Sequence, residues 1–408
     1  MHCADVESWG RKVITKFKKD EILFYLSYII LYVSLFIGDV YNIGSMDILA
    51  RYLRIGSYTL IFISCINLRL KKKDFFRMFA VLMVTLLYGV KTGDLYWSIL
   101  ILLIYNSKKV DIERVYKTSS KIIVIGISSV LILCMFGVLP DILTSRNTVE
   151  QINYNRHSLG FYHSNVLPLL ILYLEVYYIC IAKERIRDNV IAFFMLLAGV
   201  VNTFCHSRNA LILSLALSLF VIFAKKMKKD EYKILYRTTI LSIPCMSSFS
   251  FSMMFLLLKG GIWNTIDDFF SGRFRLAIFK MRRIGLHLIN IMSNESFVND
   301  NITYVDGKNM SSIVLDNGYL YVLLRYGILI LLIYFFIAYC LAKKNKGNAC
   351  VLGALIAVFI ANFVDNDLVD YSFFPFILWA FNDFRANSII KNVGEKVDRV
   401  YKGKMEKI

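Results

Sequence analysis

Apolar residues fall in blocks of roughly 16 to 25, the length an α-helix needs to cross about 30 Å of hydrocarbon at about 1.5 Å per residue. The blocks lie near residues 21–40, 52–68, 75–90, 94–106, 121–139, 166–182, 190–205, 209–224, 234–258, 316–341, 349–364 and 371–384. They lack the polar face that a helix on a soluble core would carry. The pattern predicts an all-α, polytopic transmembrane helical protein of about 12 spans, built as one integral membrane domain over residues 1–408. The fourth block is the shortest and ends in Asn106 and Ser107.

Most polar connections are short, with exceptions at 140–165 and 259–315. Connections this long usually carry function or are disordered. The second mixes Trp263, Phe269, Phe270, Phe274 and Phe279 with Arg273, Arg275, Arg282 and Arg283, and repeats Ile278, Met281 and Leu288 at roughly helical spacing. It reads as partly helical, with an amphipathic helix lying on the membrane surface. No inverted internal repeat of the kind many transporters carry is visible.

Composition agrees: 57% of the 408 residues are hydrophobic and 19% charged, more apolar surface than water tolerates. The net charge of +18 does not point to nucleic acid, because the basic residues sit in short clusters between apolar blocks. Arg69/Lys71/Lys72/Lys73, Lys108/Lys109, Lys225/Lys226/Lys228/Lys229 and Lys343/Lys344/Lys346 fall on alternate connections, and together mark the cytoplasmic side. Both termini then lie inside, and the 140–165 and 259–315 loops outside, the longer one between spans nine and ten. Arg11, Lys12, Lys16, Lys18 and Lys19 precede an apolar run too long for a signal-peptide core, so that run is expected to remain as the first span.

The eight cysteines are scattered and read as small apolar side chains, without metal or disulfide spacing. There is no phosphate-binding Gly loop, nucleophile elbow or nucleotide fingerprint. No metal or cofactor is expected, and any chemistry would use an already activated substrate supplied from the membrane.

Arginine is disfavoured on the outer side, so those placed there need a reason. The stretch Asn155-Arg156-His157-Ser158-Leu159-Gly160-Phe161-Tyr162-His163-Ser164-Asn165 leads into the sixth span. Its guanidinium, imidazoles and amide suit a phosphate or sugar hydroxyls; they equally suit a loop end anchored among headgroups. Cys205-His206-Ser207-Arg208-Asn209-Ala210 is a tight outer turn that keeps Arg208 where a lipid-linked phosphate would lie, or where the side chain would snorkel to headgroups. Arg273 and Arg275 follow Ser271-Gly272 and could serve a site or touch lipid. Asp316-Asn317-Gly318-Tyr319-Leu320-Tyr321 offers a carboxylate, an amide and rings for a sugar, though Asp316 and Asn317 also fit as helix caps. Two charges lie inside spans, Glu175 and Arg325: each is expected to find a partner or a wet cavity, and an arginine on a neighbouring helix could be that partner for Glu175. Asp365, Asn366, Asp367 and Asp370 form an acidic outer turn that could counter-charge the arginines or bind a cation, and is read first as solvated.

In this order and sidedness the patches Arg156…Gly160-Phe161-Tyr162-His163-Ser164-Asn165, Ser207-Arg208-Asn209-Ala210, Ser271-Gly272-Arg273 and Asp316-Asn317-Gly318-Tyr319-Leu320…Tyr326-Gly327 resemble the Wzy-type polysaccharide polymerases, relatives of the O-antigen polymerases and ligases. The resemblance implies an enzyme of the bacterial cytoplasmic membrane that makes capsule, exopolysaccharide or O-antigen. Such an enzyme moves a growing glycan from undecaprenyl diphosphate onto a new lipid-linked repeat unit at the outer face. Its partners would be the lipid-linked oligosaccharide and membrane lipid, with a chain-length regulator and a flippase.

Carried over, Arg156 and Arg208 match arginines that hold the diphosphate, and Arg273 a loop arginine. Ser164 stands where the family often has Pro, and Asp316 where related ligases carry His, which leaves the general base open between Asp316 and His163. His157, Asn165, Arg275, Asn317 and Tyr319 complete the expected substrate contacts. A flippase for the same lipid or the sister ligase would share much of this pattern.

Overall fold

The computed structural model describes residues 19–41, 45–68, 72–108, 110–147, 153–228, 230–270, 272–293, 297, 315–365 and 367–382. The basic segment before residue 19, Ser271, Tyr304, Asn366 and the residues after 382 lie outside the described residues, as does the side chain of Arg146.

Each predicted apolar block contains a helix. The chain runs through α1 (Lys19–Asp39), α2 (Ser45–Ile66), α3 (Lys72–Thr92), α4 (Tyr96–Ser107) and α5 (Ile112–Met135). The 140–165 connection then folds into a hairpin of β1 (Leu143–Asn147) and β2 (Asn153–His157), paired antiparallel with Leu143 opposite His157. There follow α6 (Val166–Ala182), α7 (Asp188–Cys205), α8 (Arg208–Ala224), α9 (Tyr232–Leu256), α10 (Ile262–Phe269) and α11 (Arg273–Ile284). The last four are α12 (Gly318–Arg325), α13 (Ile328–Asn345), α14 (Ala349–Val364) and α15 (Phe374–Phe381). Among the described residues eight helices, α1, α2, α3, α5, α6, α7, α9 and α13, are long and apolar enough to cross a membrane; α4, α8, α14 and α15 are apolar but shorter. The fold of these residues is all-α apart from the hairpin, and is that of a multi-pass membrane protein.

Burial divides the helices. Along α6 nearly every residue from Val166 to Cys180 is buried, and α14 is enclosed from Ala349 to Phe363. By contrast α3 buries only Met78, Gly89 and Thr92, and exposes Phe76, Val84, Leu87 and Val90. So much exposed apolar surface on a peripheral helix needs lipid against it.

Three expectations change. The predicted tenth span is broken into α12 and α13 at Gly327, whose φ is +99°. A Cβ there would lie 2.7 Å from the Leu288 carbonyl oxygen, because residues 287–290 pair with 326–329, Ile328 N–H donating to His287 O at 3.0 Å. The amphipathic helix of the long loop exists as α11, but it sets Phe274, Ala277 and Ile278 into the protein, against α9 and α12. Leu288 falls beyond it and is exposed. Glu175 takes hydroxyls rather than an arginine: Ser218 Oγ donates to it at 2.6 Å and Ser214 Oγ also donates, both from α8. Two hydroxyls satisfy a buried carboxyl group without enclosing a second charge.

Arg325 is fully buried and does find partners. Its Nη1 donates to Met292 O at 2.7 Å, Nη2 lies 3.9 Å from Asp94, and the rings of Phe297 and Tyr326 flank the guanidinium.

Candidate functional site

The connections meet at the two ends of the bundle. At one end Lys344 donates to the Trp379 and Asn382 carbonyls, Asn382 donates to Ser107 and Val110, and Lys225 pairs with Asp188. The other end gathers the hairpin, the α7–α8 turn, α11, the start of α12 and the residues between α14 and α15. There the backbone itself builds the site. Tyr162 N–H donates to Asp39 O at 3.1 Å and Tyr41 N–H to Gly160 O at 3.0 Å, which joins the end of α1 to the segment leading into α6. Gly318 N–H donates to Asp365 O at 2.8 Å, and a Cβ on Gly318 would stand 3.0 Å from Asn362 O. That contact lets the start of α12 rest directly on the end of α14, and sets Asp316 beside Asp365.

Between these segments lies a cavity of about 350 Å³ lined by Asp39, Tyr162, His163, Asn165, Val166, Leu169, Leu170, Tyr173, Asp316, Asp365, Asp370, Tyr371 and Ser372. Among the described residues its wall holds carboxylates, phenols, an imidazole and an amide, and no Lys or Arg. The arginines stand behind that wall. Arg156 Nε donates to Cys205 O at 3.1 Å and its Nη2 donates to Asn165 Oδ1, so one side chain ties the hairpin to the end of α7 and the start of α6. Arg273 donates to Val364 O and approaches Asp316 at 4.0 Å, with only 10% of its side chain exposed.

The titratable groups on the wall are tuned by this arrangement. His163 Nδ1 accepts Asn165 N–H at 3.1 Å, which leaves the proton of the neutral ring on Nε2. Burial, with Arg156 adding to it and Asp316 opposing, lowers the pKa of His163. Asp316 shifts the other way: burial raises its pKa above the usual carboxylate range, against the pull of Arg273 and His163. Asp370 is pushed up to about 6 by burial, even though Ser372 N–H donates to it at 3.2 Å. Tyr371 Oη donates to Asp39 at 2.5 Å.

The predicted site residues therefore divide. Arg156, His163, Asn165, Asp316 and Arg273 come together in or directly behind the cavity wall. Arg208 is exposed at the first position of α8, three residues past the Cys205 carbonyl that Arg156 binds. The other four are engaged elsewhere. His157 lies 2.5 Å from Asp141 within the hairpin, and Asp141 also accepts Leu159 N–H at 2.8 Å. Burial alone would raise the Asp141 pKa, but these bonds outweigh it and hold the carboxyl below its usual range. Arg275 pairs with Asp267 and Asp268. Asn317 caps α12, accepting Leu320 N–H at 3.0 Å, and donates to Ser250 and Phe363 O. Tyr319 is buried, its hydroxyl on Phe359 O at 2.5 Å. Of the two residues expected as caps, Asn317 takes the role and Asp316 faces the cavity.

Asp370 and Asp365 line the cavity, where the sequence reads as a solvated turn; Tyr162 joins them from the stretch that leads into the sixth span, and Asp39, Tyr173 and Tyr371 from outside every candidate patch. Asp39 closes an apolar block and carries no local mark of a site. Among the described residues no cluster of His, Cys, Asp and Glu is arranged to hold a metal ion. Comparison with family models, curated proteins and solved structures finds no match for this chain.

Proposed function

We propose that this protein is a Wzy-type polymerase of lipid-linked oligosaccharide repeat units, embedded in the bacterial cytoplasmic membrane. In this reading α1–α9 and α13–α15 make twelve crossings, both termini are cytoplasmic, and the cavity opens at the outer face. The observation that carries it is the cavity: acceptor-rich walls of carboxylates, phenols and an imidazole, backed by Arg156 and Arg273, at the end of the bundle where Arg208 stands exposed. Such a wall suits sugar hydroxyls, while the exposed arginine suits the diphosphate of a lipid carrier at the membrane surface.

In the proposed reaction the acceptor hydroxyl oxygen attacks the anomeric carbon of the growing glycan. The bond from that carbon to the lipid diphosphate breaks, and its electron pair leaves on the phosphate oxygen. Asp316 takes the hydroxyl proton; its raised pKa makes it a better base than an ordinary carboxylate. His163 is the weaker candidate for that role, because Nδ1 already accepts the Asn165 N–H. With its proton on Nε2 it acts as a donor that orients an oxygen. Arg208 meets the departing diphosphate and stabilises its developing charge. Arg156 works from behind, holding Asn165 and the end of α7 in register.

The test is Asp316→Asn in the native cell, with protein level checked. Loss of long-chain glycan while single repeat units still appear outside supports the polymerase. Persistent long chains would overturn the assignment of Asp316, and repeat units trapped inside would point to a flippase instead.

A further inference from the structure

The cavity carries information about which sugar it takes. Four carboxylates from three separate places in the chain, Asp39, Asp316, Asp365 and Asp370, line one space of about 350 Å³, and among the described residues no Lys or Arg lines it with them. Arg273 reaches Asp316 from behind the wall, but the groups acting on Asp370 are its own burial and bonds from Ser372 and Tyr371, with no arginine or lysine among them. Asp39 is likewise answered by a phenol, Tyr371, at 2.5 Å. A carboxylate has roughly four lone-pair sites, so Asp39 and Asp370 keep acceptors to spare after these bonds. The Asp39 side of the cavity thus offers hydrogen-bond acceptors, with the negative charge of Asp370 above about pH 6, while the cation-backed side lies at His163 and Asp316.

We propose that the cavity admits the acceptor end of the glycan as an uncharged sugar, its hydroxyls donating to Asp39 and Asp370 beside Tyr371, and rejects a terminal uronate or phosphosugar. The inference rests on the polymerase reading and adds the class of acceptor to it. A hydroxyl donates into this wall; on its Asp370 side a sugar carboxylate brings a like charge where, among the described residues, no Lys or Arg lines the space, and like charges set together oppose binding.

The experiment uses the full-length protein in phosphatidylcholine nanodiscs, titrated with undecaprenyl-diphosphate glucose, undecaprenyl-diphosphate glucuronate and bare undecaprenyl diphosphate. The carrier is the same in all three, so the difference between the two sugars reports the cavity alone. The glucose lipid is expected to bind at least about tenfold more tightly than the glucuronate lipid. In Asp39→Asn/Asp370→Asn that eluted like the parent protein, the gap should shrink to less than about threefold, through tighter glucuronate binding. If the double variant does not fold, Asp370→Asn alone should narrow the gap in the same direction. Equal affinities in the parent protein, a preference for glucuronate, or an unchanged gap in the variants would overturn the proposal while leaving the polymerase intact. Failure of all three lipids to bind would instead overturn the polymerase reading, and the acceptor class with it.

Discussion

Arg156 and Arg208 look alike in the sequence, each an arginine beside a predicted span on the outer side, yet the fold treats them differently. Arg156 is bonded to a carbonyl and an amide from two other elements, and Arg273 joins it as a second strut, on Val364 O and Asp316. Arg208 is exposed, with no polar partner among the described residues. An arginine used as a strut serves geometry: its loss should loosen the wall it supports. An arginine left exposed at a tight turn serves a ligand, and its loss should leave the fold alone. The cavity wall and the α7–α8 turn therefore make separate predictions.

The largest effect is expected at the wall itself. Asp316→Asn keeps the shape but removes the base, so the initial rate of polymer formation in membrane vesicles should fall by about 10²–10⁴-fold, with little change in thermal stability. A rate within about threefold of the parent protein would move the base elsewhere.

Next comes Arg156→Ala, which leaves Asn165 Oδ1 and Cys205 O without this donor. We expect a stability loss of about 1–3 kcal/mol, read as a Tm lower by a few degrees in detergent, together with a lower kcat. Arg156→Lys should recover only part of this, because one ammonium group does not reproduce a fork that reaches two acceptors. An unchanged Tm in Arg156→Ala would show that Arg156 is not a strut.

How far these roles were legible in the sequence follows from the same contrast. Helix positions were legible, because an apolar block of spanning length has few alternatives in lipid. The break at Gly327 was not, since it depends on residues 287–290 packing against that glycine. Arg156, His163, Asn165 and Asp316 could be singled out because polar groups at span ends are costly enough to need a reason. Whether Arg156 faces a ligand or a carbonyl is set by where the α7–α8 turn lands, which no local pattern records. Asp39 and Tyr371 meet across 332 positions, and each alone looks like an ordinary helix boundary. Glu175 misled for a related reason: a lone carboxylate in a span suggests an arginine, whereas serines one turn apart on α8 satisfy it just as well.

At the turn the expected effect is smaller and of a different kind. Arg208→Ala should leave Tm unchanged and raise KM for the lipid-linked substrate about tenfold, the scale of one lost charge-assisted contact. A Tm loss comparable to that of Arg156→Ala would erase the distinction between the two arginines.

The smallest effect separates the cavity from the hairpin by pH. Asp370 has a folded pKa of about 6, above its ordinary value of 3.8, because burial disfavours its charge. The folded protein therefore binds this proton more tightly than the unfolded chain does, and stability should rise as pH falls through about 6 toward 4. Asp316 acts in the same sense, its pKa being raised as well. Asp141 in the hairpin opposes them: its lowered pKa gives stability that is present at neutral pH and lost as acid protonates the carboxyl that His157 and Leu159 N–H hold. Between about pH 7.5 and 5.5 Asp370 takes up its proton while the Asp141 carboxylate stays ionised, and the lowered pKa of His163 opposes it, because there the unfolded chain binds the proton more tightly. The Asp370 contribution is therefore read as a difference: from pH 7.5 to 5.5, Tm measured by tryptophan fluorescence should change by about a degree more favourably in the parent protein than in Asp370→Asn, whose amide has no proton to gain. A slope unchanged by that substitution would mean that Asp370 does not carry the cavity's titration.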